Sequence, residues 1–180
     1  MNRYTIALIV NNQSGVLSKI AGLFTRRGYN IENLSVGPIE NNNLSRMTIV
    51  FNGNKSTLEQ VKKQFNKLID VIKVIDLYEK ASVFRELVLV KIAITANNKH
   101  DLIDITNTFR GNIIDYNKKS IIIEMIGNKD KIDAFISLIS SYEIKEIVRT
   151  GSVGLIRWFS NKNIPLIVER FSYNLFAIRG

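Results

Sequence analysis

Residues 3–10, "RYTIALIV", alternate as a strand. From Val16 to Arg27 the period changes, and Leu17, Ile20, Ala21 and Phe24 fall at i, i+3, i+4 and i+7, one face of a helix. Ser14 is expected as its N-cap and Gly28 as a left-handed residue just past its end. "NIENLSVGPI" and "LSRMTIVFN" then read as two strands joined by the turn "ENNN". Leu58, Val61, Phe65, Leu68 and Ile69 mark a second helix, and "VIKVIDLY" a closing strand. The order is βαββαβ.

The same order then repeats. "RELVLVKIAI" is a strand, and Leu102, Ile105, Thr106 and Phe109 mark a helix that stops before Gly111. "GNIIDYN" and "SIIIEMIGN" form a hairpin, Ile132, Phe135, Ile136 and Ile139 mark a helix, and "EIKEIVRTG" is a last strand. The pattern predicts an α+β chain of two ferredoxin-like βαββαβ sandwiches in tandem, each with two helices over one face of an antiparallel sheet. The units are residues 1–80 and 81–158, meeting near "EKASVFRE", with a tail at 159–180. Ile167, Val168, Phe171 and Leu175 give that tail helical spacing. Units this small bury a modest fraction of their surface, so the uncovered face or edge of each sheet needs a neighbour, and a homodimer is expected.

Composition narrows the function classes. The 180 residues are 46% hydrophobic and 23% charged, the balance of a globular protein. No cysteine is present and there is one histidine, so thiolate chemistry is excluded and zinc or Ser-His-Asp sites would need residues from another chain. Catalytic and metal sites are both expected to be absent. His100, beside Asp101 at a helix start, reads as an exposed polar position, and the carboxylates show no acid–base spacing. No apolar run approaches the roughly 20 residues of a membrane span, and no signal or transit pattern precedes Arg3. The 20 asparagines and 28 isoleucines fit an AT-rich genome, placing the protein in a bacterial cytoplasm or, if plastid-encoded, the plastid stroma.

The net charge of +9 raises nucleic acid as a partner. The charge is spread, however, with 11 basic and 6 acidic residues in 1–80 and 14 and 10 in 81–180. RNA-recognition modules share the βαββαβ order and are the main alternative, but they stack bases on aromatics of the central strands. "LSRMTIVF" and "SIIIEMIG" carry no aromatic at a central position. Neither nucleic acid nor membrane is therefore the expected partner.

The loop "NNQSGVLS" opens a helix. Amides of Gly15, Val16 and Leu17 at that positive helix end can receive a carboxylate or phosphate, although a capping turn alone would use the same residues. No Walker or G-x-G-x-x-G pattern is present. Asn12 and Asn30 flank the helix, and an amide, both donor and acceptor, suits a zwitterion as well as its own turn.

Several long motifs, "NNQSGVLSKIAGLFTRRGYNIENLSVGP", "LSRMTIVFNG", "LEQVKKQFNKLIDVIKV", "RELVLVKI", "FRGNIIDY" and "RTGSVGLIR", resemble the small regulatory subunit of acetolactate synthase from about residue 3 to 157. The first unit resembles an ACT domain, a fold that senses amino acids. The resemblance implies a non-catalytic subunit that activates a large catalytic subunit and confers feedback inhibition by valine in branched-chain amino acid biosynthesis. Thiamine diphosphate, Mg²⁺ and FAD would belong to that partner, with no cofactor in this chain. It also implies a homodimer through the ACT units. Valine would sit between Asn12, Gly15, Val16 and Leu17 of one chain and Asn30 and Ile31 of the other. The family ends soon after "GLIR", so it offers no account of residues 159–180.

Overall fold

The structure, a computed structural model, describes residues 2–157. Trp158 and the tail, with its helical spacing, lie outside the described residues. The first unit runs β1 (Asn2–Asn11), α1 (Val16–Arg26), β2 (Ile31–Pro38), β3 (Leu44–Gly53), α2 (Lys55–Phe65) and β4 (Val71–Asp76). Its antiparallel sheet has the order β2-β3-β1-β4. Both helices lie on one face, where alternate residues of β1 (Tyr4, Ile6, Leu8, Val10) and β3 (Met47, Ile49, Phe51) are buried against Ile20, Phe24 and Phe65.

Helix α1 shows how local chemistry sets these ends. Its N-cap is Gly15, left-handed at φ 85°, with no side-chain cap. The expected Ser14 cap is thus corrected: the chain enters the helix through a positive φ that suits glycine. At the other end Gly28 has φ 66°, as expected. The Gly28 amide donates to the Thr25 carbonyl at 3.1 Å and the Tyr29 amide to that of Phe24 at 3.0 Å, a Schellman closure. Its usual apolar contact is present as Tyr29 edge-on to Phe24. Helix α2 begins at Asn54, whose Oδ1 accepts the Thr57 amide at 2.8 Å, and ends at Phe65. Leu68 packs on the core from the following loop, while Ile69, expected on the helix, is 92% exposed. The amide of Val71 donating to the Leu68 carbonyl turns the chain there toward β4 instead.

Unit one is closed by Asp76, a buried carboxylate. Its Oδ1 accepts the amides of Tyr78 and Glu79, and its Oδ2 accepts Lys62 Nζ at 3.0 Å. Hydrogen bonds to Glu59 first, and also to Asp76, hold the Lys62 ammonium above the usual lysine range.

The second unit runs β5 (Ser82–Ala93), α3 (Lys99–Thr108), β6 (Asn112–Tyr116), β7 (Ser120–Gly127), α4 (Lys129–Ile139) and β8 (Ile144–Arg149). Its strands have the order β6-β7-β5-β8, and Val88, Val90, Ile92, Ile123, Met125 and Phe135 form its core. The α+β fold of two βαββαβ sandwiches holds. One element was not foreseen: β9 (Val153–Ile156) pairs antiparallel with Ser82–Arg85, the first part of β5. The periodicity of four residues is too short to announce it.

Strand β9 lies against the open face of the first sheet. Arg46 alternates with core-facing Met47, and its Nη2 donates to the Gly154 carbonyl at 2.7 Å. A Cβ on Gly154 would stand 2.6 Å from Phe84 and 2.9 Å from Leu77, so the seam between the units is closely packed. On the same open face Ala7, Thr48 and Val50 are buried. Beside the seam, Arg149 bonds the buried Glu86 carboxylate and reaches Asp133 at 3.1 Å.

Two measurements follow from this packing. Phe24 touches Tyr29, Phe51 and Phe65, so Phe24→Ala should cost about 3–5 kcal/mol in urea unfolding, as for buried aromatics generally. Ile69→Ala should stay within about 0.5 kcal/mol, as at exposed sites; equal losses at the two positions would contradict the assignment of the core. The second concerns acid. Hydrogen bonds from Lys129, then from Arg149, hold the Asp133 carboxyl below its usual range. A lowered folded-state pKa stabilises above the unfolded value, about 3.9, and that contribution is lost as pH falls through the folded value. Asp133→Asn should therefore lose less stability than wild type between neutral pH and acid, and an unchanged acid slope would contradict this.

Candidate effector site

The loop between β1 and α1 is built from backbone. The Asn11 amide donates to the Asp70 carbonyl at 2.9 Å and the Asn12 amide to that of Asn43 at 2.7 Å. Asn12 Nδ2 donates to the Asn42 carbonyl at 2.9 Å, which ties the loop to the β2–β3 turn. Asn12 is exposed, and its Oδ1 takes no hydrogen bond among the described residues.

Gly15 then turns the chain into α1. Its Cβ position has no atom within 4 Å, so the need for glycine here is conformational rather than one of space. The Val16 amide is drawn to the Gln13 carbonyl at a long 3.4 Å. Among the described residues no acceptor takes the amides of Leu17 and Ser18. There is no acidic residue in the first turn. The helix end is thus open to an anion at Leu17 and Ser18 more than at Val16. Ser18 was not anticipated; counting forward from the first helical residue, Val16, through the open amides of the first turn would have found it. Val16 itself points into the core, whereas Leu17 is 44% exposed and can pack on an apolar group.

Asn30 and Ile31 stand elsewhere. Ile31 pairs with Phe51, which pairs with Tyr4, at the beginning of β1. Asn12 follows the end of β1, so the two groups lie about 26 Å apart along the sheet at ~3.3 Å per residue. Helix α1, 11 residues and so about 17 Å long at ~1.5 Å per residue, carries the chain over most of that interval. Asn30 is exposed, and Ile31 is half-buried against the core. One chain therefore brings Asn12, Gly15, Val16 and Leu17 together and does not bring Asn30 and Ile31 to them.

Among the described residues β2 pairs only with β3, on one of its two edges. Its far end, Pro38, pairs with Ser45, which pairs with Val10, so it lies beside the Asn12 loop. Antiparallel pairing of two β2 edges about a twofold axis would set the Asn30 end of one chain at the Pro38 end of the other. In such a pair the separation inside one chain would become proximity between two.

Two clefts lie where the units meet. An apolar groove of about 390 Å³ runs between β2 and β9, lined by Val36, Pro38, Ile39, Val153 and Leu155 among others. A polar cleft of about 280 Å³ holds Arg3, Glu32, Asn33, Glu86 and Arg149. Arg3 pairs with Glu32 and Arg149 with Glu86 inside it, while Lys129, which also lines it, pairs with Asp133. Neither cleft includes the Asn12 loop. Among the described residues, no helix is long and apolar enough to cross a membrane.

Comparison with known proteins bears on both units. Residues 6–73 match the ACT domain of small subunits of acetohydroxyacid synthase, and residues 85–158 match the small subunit of acetolactate synthase. The chain is 48% identical over 155 residues to a probable acetolactate synthase small subunit of Archaeoglobus fulgidus, covering 86% of this chain and 97% of that one. It is 40% identical to the acetolactate synthase small subunit of Haemophilus influenzae, covering 90% and 99%. The crystal structure of the small subunit from Thermotoga maritima superposes with a TM-score of 0.82 at 38% identity, covering 88% of this chain and 99% of that one. The chain belongs to the family of acetolactate synthase small subunits, regulatory proteins of branched-chain amino acid biosynthesis with an N-terminal ACT domain.

Proposed function

We propose that this small subunit binds valine between two copies of itself and so carries feedback to a catalytic acetolactate synthase subunit, which it also activates. The observation that carries the reading is the open N-terminus of α1 behind Gly15, with the open amides of Leu17 and Ser18 beside the exposed apolar Leu17 side chain and the exposed Asn12. Together they offer a carboxylate seat, an apolar contact for an isopropyl group and a polar acceptor for an ammonium. The partner's Asn30 and Ile31 complete the site across paired β2 edges. Thiamine diphosphate, Mg²⁺ and FAD would sit on the catalytic partner. The pure chain should then form no acetolactate, and turnover of pyruvate by it alone would overturn that division of labour.

Nucleic acid is disfavoured by the strand faces. On the open face of the first sheet β3 presents Arg46, Thr48 and Val50, while Tyr4 and Phe51 turn toward the helices. No stacking platform is offered there.

Sedimentation tests the assembly: the full chain should run as at least a dimer, and a monomer at all accessible concentrations would exclude a shared site. Gly15→Asp tests the seat. It sets a carboxylate where the ligand's own would lie, and like charges about 4 Å apart repel by roughly 1 kcal/mol in water and more at lower dielectric. The φ of 85° adds strain for any side chain. Valine inhibition of the reconstituted enzyme should weaken by about two decades or more with activation retained, each decade being about 1.4 kcal/mol. Asn30→Ala should weaken it less, since it removes hydrogen bonds without adding repulsion. A wild-type inhibition curve for Gly15→Asp would place the site elsewhere.

A further inference from the structure

Strand β2 carries an irregularity between its proposed effector residues and the second unit. Its pairing with β3 shifts register between Ile31 and Asn33, leaving Glu32 as the extra residue of a bulge. In an unbroken strand, Ile31 and Leu34 would face opposite sides. With the bulge, both pack against the helix-side core. Asn33 is thereby aimed at the open side, toward the second unit.

There it meets the turn that follows β8. Asn33 Oδ1 accepts the amide of the buried Ser152 at 3.0 Å. Gly151, at φ 74°, leaves the space for it: a Cβ there would stand 1.5 Å from Asn33 Nδ2 and 2.2 Å from Cγ. The turn itself is anchored to its own unit, because the Thr150 amide donates to the Leu87 carbonyl at 3.0 Å and its Oγ1 accepts the Leu87 amide at 3.1 Å. Arg149, one residue earlier, is held by Glu86 and Asp133. Asn33 thus joins a bulged point of β2 to a rigid point of the second unit, two residues beyond Ile31.

Resting on the valine site proposed above, we infer that Asn33 is a positioning residue that couples occupancy of the Asn30–Ile31 segment to the placement of the second unit. A ligand bridging two chains pulls on the start of β2. The bulge is where the ladder is interrupted, so a shift of the segment is passed to Asn33 instead of being absorbed by β3. Asn33 bears on Gly151 and Ser152, and the second unit follows. Such coupling is a free energy between two sites and can be removed while binding at one of them is kept.

The test uses the full chain, alone and reconstituted with its catalytic subunit. Asn33→Ala should bind valine within about threefold of wild type by calorimetry and still activate, yet inhibition should weaken by at least tenfold or plateau well short of wild type. Gly151→Ala, which crowds the same contact from the other side, should act likewise. The double variant should be no worse than the stronger single one, as for two residues of one contact. Hydrogen exchange over residues 150–153 should change on adding valine to wild type and not to Asn33→Ala. Wild-type inhibition by Asn33→Ala overturns the inference, as does loss of valine binding in parallel with inhibition or an unresponsive turn in wild type. Failure of the valine site itself is read separately, as absence of valine binding by the wild-type chain.

Discussion

Two helices can shelter only one face of a four-stranded sheet, and the arrangement of this chain depends on how the other face and the free edges are met. In the first unit β1 is buried on both sides: Ile6 and Leu8 lie under the helices, and Ala7 and Ile9 are buried on the opposite face. A strand so placed cannot stand alone in a unit of this size. Part of the answer is internal, since β9 and the start of β5 reach back to the open face and Arg46 pins them by the Gly154 carbonyl. The edge of β2 has no such answer among the described residues, and an unpaired edge is a template for a second copy.

That division gives the regulatory reading its physical form. The Asn12 loop and the Asn30–Ile31 segment belong to opposite ends of one sheet, so a ligand touching both must touch two molecules. In the proposed assembly, binding energy would be spent partly on dimer geometry, which would link a small ligand to the catalytic partner. The seam between units supplies the continuation. It is polar and fully paired at Arg3, Glu32, Glu86 and Arg149, and tightly packed at Gly151 and Gly154. Close packing at those points has low compressibility and transmits strain.

Local periodicity carried much of the fold. The helix marked by Ile20 and Phe24 and the left-handed Gly28 were legible because both depend on residues within a few positions. Leu17, expected on the same face, is exposed instead, and Val16 and Leu23 take the buried positions because they stand four and one residues before Ile20 and Phe24. The Ser14 cap was misplaced by one residue, because serine and glycine both suit that position and only the backbone angle decides between them. Leu68 and Ile69 continued the apolar pattern of α2 past its end; the helix stops where the Leu68–Val71 turn competes for the chain. Strand β9, the Glu32 bulge and the contact of Asn33 with Gly151 and Ser152 were not legible at all. Each is defined by a partner far along the chain, more than a hundred residues away for Asn33 and Ser152. At the candidate site, the loop chemistry could be read from "NNQSGVLS", whereas the distance from it to Asn30 needed the register of three strands.

The central claim is that one valine site draws residues from two chains, and subunit mixing tests it most directly. Gly15→Asp damages only the loop half and Asn30→Ala only the strand half. In a mixed dimer of the two variants, a shared site would pair the intact loop of one chain with the intact strand of the other and so restore one wild-type site, while the second site carries both defects. Calorimetry on the mixture should show a fraction of valine sites with wild-type affinity that neither variant shows alone. If no such fraction appears under conditions where chains exchange, each site lies within a single chain and the account is wrong.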